Sequence, residues 1–414
     1  MVRVTNIAAL AALAVLTACS STNALPQTAS AACRPRAPQS PASLLTGAAT
    51  APEVATAARL GLWPREGPSV RVCGPVGTGF ARCQAWRRTD VRGDVGPNTP
   101  GGYAPSDLQT AYGLTSYSKN AGAGVTVAVV DAYDDPNVAS DLNVYRAKFG
   151  LPACTTADGC LREQKYTSQT NPGWAGEEAV DVEMVSAICP NCKILLVEAA
   201  SASIADLSTA EKYATTHADD VSNSWSGNEG TKTYDDAYTS GCGAITAATG
   251  DAGHNATAQW PAILPSVIGV GGTKLTSISP RVESAWSGSG SGCSQIYAKP
   301  AFQIAPNTGC AMRAQSDVSA VADPRTGVAV YDTFGQSGWQ VFGGTSVAAP
   351  IVASVFALAG DAPGDPLKNL YAHASAFSDV TSGSTGSCGA PLCVSGQGWD
   401  GPTGLGTPQG IGGF

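Results

Sequence analysis

Gly124-Val125-Thr126-Val127-Ala128-Val129-Val130 is an unbroken, largely apolar run dominated by β-branched valine and threonine, and its reading decides the fold. A strand with one wet face alternates apolar and polar residues. One that does not alternate is buried on both faces, as in parallel sheets. Similar runs recur at 194–198, 221–225, 244–249 and 267–270, and helical patterns lie between several of them, as at 176–188 and 202–213. Strands alternating with helices predict an α/β fold, a doubly wound, mainly parallel sheet with helices on both faces. Such folds collect their sites at the carboxyl ends of the strands. No internal repeat interrupts the pattern.

The 414 residues are 43% apolar, enough to build a large core, and only 14% charged. An ordinary soluble domain carries about 25% charged residues. The 48 Gly and 27 Pro predict abundant turns. Acids outnumber bases by 32 to 24, a net charge of −8. That balance excludes a nucleic-acid partner, which demands a basic face.

Arg3 is the only charged residue before Cys19, and the apolar stretch at 7–16 is too short to span a bilayer. It reads as an export signal. Leu16-Thr17-Ala18-Cys19 resembles a lipobox, with residues 1–18 removed and Cys19 lipidated. Ala29-Ser30-Ala31 offers a competing, ordinary cleavage site. The first reading leaves 12 of 13 cysteines, an even number suited to disulfides in an oxidising compartment. Proximity pairs Cys73 with Cys83, Cys154 with Cys160, Cys189 with Cys192, Cys293 with Cys310 and Cys388 with Cys393. Cys33 and Cys242 stay unassigned. Cys189-Pro190-Asn191-Cys192 has no second ligand pair nearby, so it reads as a disulfide rather than a zinc or redox site. The chain is expected to be secreted or anchored to the outer face of a bacterial cell membrane. Residues 19–100, rich in Ala, Pro, Ser, Thr and Gly, read as a tether or short pro-segment, and 101–414 as the main domain.

Three segments carry chemistry. In Gly344-Thr345-Ser346-Val347-Ala348-Ala349-Pro350, Ser346 opens an apolar helix over 347–358, with Pro350 expected in its first turn. The hydroxyl then stands at the positive end of a buried helix, a good place for a nucleophile. Serine is also a preferred N-cap, and alone the segment reads as one. In Gly176-Glu177-Glu178-Ala179-Val180-Asp181-Val182-Glu183, Glu177 and Asp181 are four apart and share a helix face. Continuing that face to Met184, Val185 and Ile188 turns it inward, where two carboxyls raise each other's pKa and share a proton. Glu178 and Glu183 fall elsewhere and are expected in solvent. The third segment is Gly250-Asp251-Ala252-Gly253, closing an apolar strand. A nucleophilic serine needs a base. The three histidines, His217, His254 and His373, each read as surface or packing residues.

Gly-Thr-Ser-x-x-x-Pro resembles the nucleophile motif of subtilisins and sedolisins. The Glu-x-x-x-Asp-Val-Glu helix running into Ala187-Ile188-Cys189-Pro190 resembles the catalytic helix of sedolisins, and Gly-Asp-x-Gly their oxyanion loop. The three stand in the family's order, and the resemblance to sedolisins covers about 101–414. It implies a subtilisin-like fold and a serine-carboxyl peptidase acting on protein or peptide substrates in acid, expected as a monomer. Ser346 would be the nucleophile and Glu177 its base, oriented by Asp181 and backed by Asp131. Asp251 would stabilise the oxyanion, donating a hydrogen bond only when protonated.

The resemblance further implies a substrate-binding edge strand at Ser224-Trp225-Ser226-Gly227, with Ser226 where Gly is commoner. It also implies a structural calcium site, with carboxylates from Asp379 and Asp400 and carbonyls from Val380, Gly396 and Gly398. One departure is the short stretch, about 80 residues, ahead of the peptidase domain, where sedolisins have a long folded pro-domain. The rivals are a His-dependent subtilisin-like peptidase and a catalytically silent surface lipoprotein on the same scaffold.

Overall fold

The computed structural model describes Met1 and residues 68–90, 100–230, 232–239, 243–255, 258–360 and 364–414. The signal segment, Cys19, Cys33, Cys242 and much of 19–100 lie outside the described residues. The chain opens with three short strands, β1 (Ser69–Arg71), β2 (Arg82–Cys83) and β3 (Trp86–Arg88), followed by helices α1 (Pro105–Ala111) and α2 (Thr115–Asn120). Then come β4 (Thr126–Ala132), α3 (Val138–Lys148), β5 (Leu161–Lys165), α4 (Pro172–Ile188), β6 (Lys193–Ala199) and α5 (Ile204–His217). Strands β7 (Asp220–Asn223), β8 (Trp225–Asn228), β9 (Ile245–Ala248), β10 (Gln259–Trp260), β11 (Ile268–Ile278) and β12 (Arg281–Ala285) lead to β13 (Cys293–Ala298). The rest is β14 (Met312–Ala314), β15 (Val318–Val321), β16 (Val328–Asp332), β17 (Gly338–Gly343), α6 (Thr345–Ala359) and α7 (Pro366–Ala372).

The main sheet runs β12-β11-β9-β7-β4-β6-β5, with β15 also on β11. Every pair in it is parallel except β11 with β12. Strand β4 shows why its sequence does not alternate. Val127 and Val129 enter the core shared with α4 and α6, whereas Ala128, Val130 and Ala132 enter a second core shared with α5. Both faces are therefore covered by helices, as the valine run predicts.

Helix α4 starts at a strong signal. Asn171 accepts from the N–H groups of Gly173 at 2.9 Å and Trp174 at 3.3 Å, and Pro172 takes the first helical position. From Trp174 to Ile188 every residue is buried. Glu178 and Glu183 are thus not in solvent, a correction to the sequence reading: this helix is covered all round, so no face of it is wet.

The five disulfides expected from proximity are all present. Gly122, at φ +84°, packs against one of them, where a Cβ would lie 2.2 Å from Cys189 Sγ. Among the described residues no helix is long and apolar enough to cross a membrane.

Candidate active site

Ser346 is the second residue of α6, fully buried, and its Oγ donates to the Ser224 carbonyl at 2.9 Å. The helix is capped by Gly344 at φ +106°, which only glycine adopts without strain. Pro350 lies in the second turn rather than the first. Its missing N–H deprives the Ser346 carbonyl of the usual i+4 donor, and the Ser224 Oγ approaches that carbonyl at 3.2 Å instead.

The same Ser224 Oγ lies 2.6 Å from Asp181 Oδ1. The Ser224 hydroxyl has one proton, which as donor it divides between Asp181 Oδ1 and the Ser346 carbonyl. Burial, then Asp131 and Glu177, raise the Asp181 pKa well above the ordinary carboxylate range, and the Ser224 hydroxyl pulls the other way. Burial, then Asp131, does the same to Glu177, while the Ser346 hydroxyl and the Ala85 N–H pull the other way. Neither Glu177 oxygen completes a hydrogen bond of good geometry. Asp131, at the carboxyl end of β4, has both oxygens unpartnered and is pushed by burial to about 8. Glu178 joins the group, raised by burial and then by Asp131 and Glu198. Unpaired carboxylates in so dry a place would cost several kcal/mol each, of order 2–7 for even an uncharged polar group, so the cluster shares protons.

Asp251 follows β9. Its Oδ1 accepts from the Thr345 N–H and Oγ1, each at 2.8 Å. Its Oδ2 is buried without a partner. Burial pushes Asp251 to about 6, opposed first by the nearby Arg71 and then by the Thr345 bonds.

The structure therefore gathers Ser346, Glu177, Asp181, Asp131, Asp251 and Ser224 around one spot at the carboxyl ends of β4, β7 and β9. Trp225 lies in the second core, 5.9 Å from the Trp260 ring, with Nε1 donating to the Val130 carbonyl. Ser226 and Gly227 lie on β8, which pairs with β10 on one side and with β2 on the other. The histidines are elsewhere: His217 stacks on Tyr213, His254 contacts Ser291 and His373 contacts the Asn369 carbonyl.

At the carboxyl end of the chain, Asp379 is exposed and accepts from the Gly398 N–H at 2.8 Å. Asp400 is buried, accepts from Thr403 and from the Gly396 N–H, and is pushed by burial to about 6. The two carboxylates are thus tied to one loop, through the N–H groups of Gly398 and Gly396, and carboxylate oxygens are the ligand type a hard cation takes. An open cavity of about 900 Å³ lies beside this loop, lined by Phe302, Tyr371, Phe377 and Trp399. Ser346 itself is fully buried, and the Gln84 N–H of the segment 81–85 donates to the same Ser224 carbonyl that accepts from its Oγ.

Sequence reasoning missed Glu178, Glu198, Thr345 and the segment 81–85. Thr345 stood inside the quoted motif and was legible as a hydroxyl beside Ser346. Arg82-Cys83-Gln84-Ala85-Trp86 was hidden in a Pro/Gly-rich stretch, its one signal being a cysteine and a tryptophan set close together.

The subtilase family matches this chain over residues 166–375, more than half of it. Kumamolisin of Bacillus sp. (strain MN-32) is 30% identical over 360 residues, covering 75% of this chain and 63% of the relative. Sedolisin of Pseudomonas sp. (strain 101) is 34% identical over 170 residues, 36% of this chain and 28% of that protein. The chain thus spans less than two thirds of either relative. The solved structure of Pseudomonas sedolisin, a serine-carboxyl proteinase complexed with pseudo-iodotyrostatin, superposes with a TM-score of 0.62 at 23% identity. That superposition covers 74% of this chain and 95% of sedolisin's. The family match and the subtilisin-like sheet agree: the chain belongs to the subtilase family.

Proposed function

We propose that this protein is a serine-carboxyl peptidase that hydrolyses peptide bonds in acid. The observation that carries the reading is the company of Ser346: a buried helix face of Glu177 and Asp181, backed by Asp131, with no histidine bonded to it among the described residues. Ser346 Oγ attacks the peptide carbonyl carbon while Glu177 takes its proton and later delivers it to the leaving amine. Asp181 is a positioning residue: it holds Ser224, whose carbonyl holds the Ser346 hydroxyl. The free Oδ2 of Asp251 donates to the developing oxyanion once protonated. Asp251 stands near 6, so that donor is lost as pH rises through 6, and activity falls with it.

The chain is read as exported and either released or anchored through a lipidated Cys19; the five disulfides support an oxidising compartment. Asp379 and Asp400, with the carbonyls of Val380, Gly396 and Gly398, would hold a structural calcium ion, which would brace the carboxyl-terminal loops. The deciding experiment is hydrolysis of a denatured protein from about pH 3 to 8, comparing wild type with Ser346→Ala and Glu177→Ala. Acid-favoured activity abolished in both variants is expected. Activity that survives Glu177→Ala would return the base to a histidine.

A further inference from the structure

Cys388-Gly389-Ala390-Pro391-Leu392-Cys393 sets two cysteines with four residues between them, a spacing that zinc-binding chains use. The two are joined as a disulfide, their Cα atoms 5.4 Å apart. Cys388 is the one exposed cysteine among the described residues, whereas Cys393 is buried. His254 comes from a distant part of the chain and stands against the pair. One of its ring nitrogens and both sulfurs all lie within 4.8 Å of one another. Gly386 sits beside them with no side chain to part them: a Cβ there would be 3.2 Å from Cys393 Sγ and 3.3 Å from the His254 Cβ.

The imidazole is prepared as a ligand. Its Nδ1 meets Ser291 Oγ at 3.1 Å, and that oxygen lies 3.2 Å from Thr385 Oγ1. A metal-binding histidine uses such a partner on one ring nitrogen, which fixes the ring and leaves the other nitrogen for the metal. Burial lowers the His254 pKa, which favours the neutral form a metal takes. The cluster also anchors the loop that carries Asp251. The Gly253 N–H donates to the Gly288 carbonyl at 2.8 Å, and the His254 N–H to the Thr385 carbonyl at 2.9 Å. The Thr385 N–H donates in turn to the Cys393 carbonyl at 2.8 Å.

We propose that Cys388, Cys393 and His254 form a thiol-gated metal site for zinc or a similar borderline divalent cation. A dithiol reductant gives two hydrogens to the Cys388–Cys393 bond, which breaks into two thiols, and itself becomes a disulfide. Zinc then displaces both thiol protons and binds two thiolates and the imidazole, with water in the fourth position. Around a tetrahedral zinc such ligand atoms stand about 3.6–3.8 Å apart, inside the span that the three already occupy. Thiolates and imidazole select zinc over calcium, so this site is chemically separate from Asp379 and Asp400.

In an oxidising compartment the sulfur bridge closes the loop. Where thiols are abundant, the metal closes it instead, and His254 stays tied to Cys393 three residues beyond Asp251. The inference does not depend on the peptidase reading.

The test treats full-length protein at about pH 7.5 with a dithiol, without denaturant. Alkylation and peptide mass should show Cys388 and Cys393 freed ahead of the other described bridges. With the reductant removed under nitrogen, one equivalent of cobalt(II) should give a thiolate-to-cobalt charge-transfer band and the visible bands of tetrahedral cobalt. Zinc should displace it. Reduction should lower the melting temperature and one equivalent of zinc should restore it, but not at about pH 4, where protons hold the thiols. His254→Ala should weaken cobalt binding at least about 100-fold, the upper end of what losing a ligand's supporting hydrogen bond costs. Cys388→Ser combined with Cys393→Ser should abolish the band; both variants are checked for a cooperative melt. A bridge that stays closed overturns the inference, and so do freed thiols that give no cobalt band. A full band in the double serine variant assigns the metal to other sulfurs and overturns it too. Unchanged affinity in His254→Ala removes the imidazole and overturns the site as assigned.

Discussion

Thr345 holds Asp251 through two donors on one carboxyl oxygen, which leaves the other oxygen bare and aimed at the Gln84 carbonyl. The two bonds favour the charged form and so keep Asp251 near 6 instead of higher. Replacing Thr345 with Val removes the hydroxyl donor. The pKa of Asp251 should then rise, and the alkaline limb of the activity profile should move to higher pH; a pH profile of kcat/KM checks this, and a shift to lower pH would refute the role. Asp251→Ala should cost about 10²–10³ in kcat, the range seen when one oxyanion donor is deleted. Asp181→Asn keeps the shape of the Ser224 contact but removes a proton-sharing site, so kcat should fall while KM changes little.

Among the elements, α4 bears the largest burden: one helix supplies Glu177, Glu178, Asp181 and Glu183, all buried. Its start rests on Asn171, and Asn171→Ala should cost about 1 kcal/mol, read as a lowered urea midpoint with an unchanged slope. Helix α6 contributes by its defect. Because Pro350 donates nothing to the Ser346 carbonyl, Ser224 can approach it, and α6 is tied to the β7–β8 junction just at Ser346. The carboxyl-terminal loop makes a third test. If Asp379 and Asp400 hold calcium, a chelator should lower the melting temperature of wild type and leave that of Asp379→Ala unmoved; an equal drop in both would remove the ion from this loop.

At the scale of the whole molecule, buried acids dominate the electrostatics. Burial sets Asp251 near 6, Asp135 and Asp332 near 7, and Asp131, Glu198 and Glu211 near 8. Their ordinary values are 3.8 for Asp and 4.5 for Glu, so between about pH 4 and 8 the folded chain binds more protons than the unfolded one. Stability is then greatest in acid and lost as pH rises through these folded values. Asp251 alone, moved from 3.8 to about 6, costs about 3 kcal/mol at neutral pH. The melting temperature should fall steadily from pH 5 to 8, and a rise over that range would contradict the picture.

Much of this was legible in the chain. The valine run at 124–130 specified a strand covered on both faces, because an unalternating strand has no wet side. The four-residue spacing of Glu177 and Asp181 put both on one helix face, and the short cysteine separations matched the disulfides found. Glu178 and Glu183 were misread because a helical period tells which residues share a face but not how many faces are covered. The local pattern likewise said nothing of what meets Ser346. By itself the sequence determined the alternation of strand and helix and the residue types for the chemistry, since both depend on near neighbours along the chain. Only the tertiary structure decided that residues 81–85 lie across a site assembled from β4, α4, β7, β9 and α6. Pairing between β2 and β8 joins residues more than 140 positions apart, and no local periodicity encodes so distant a partner.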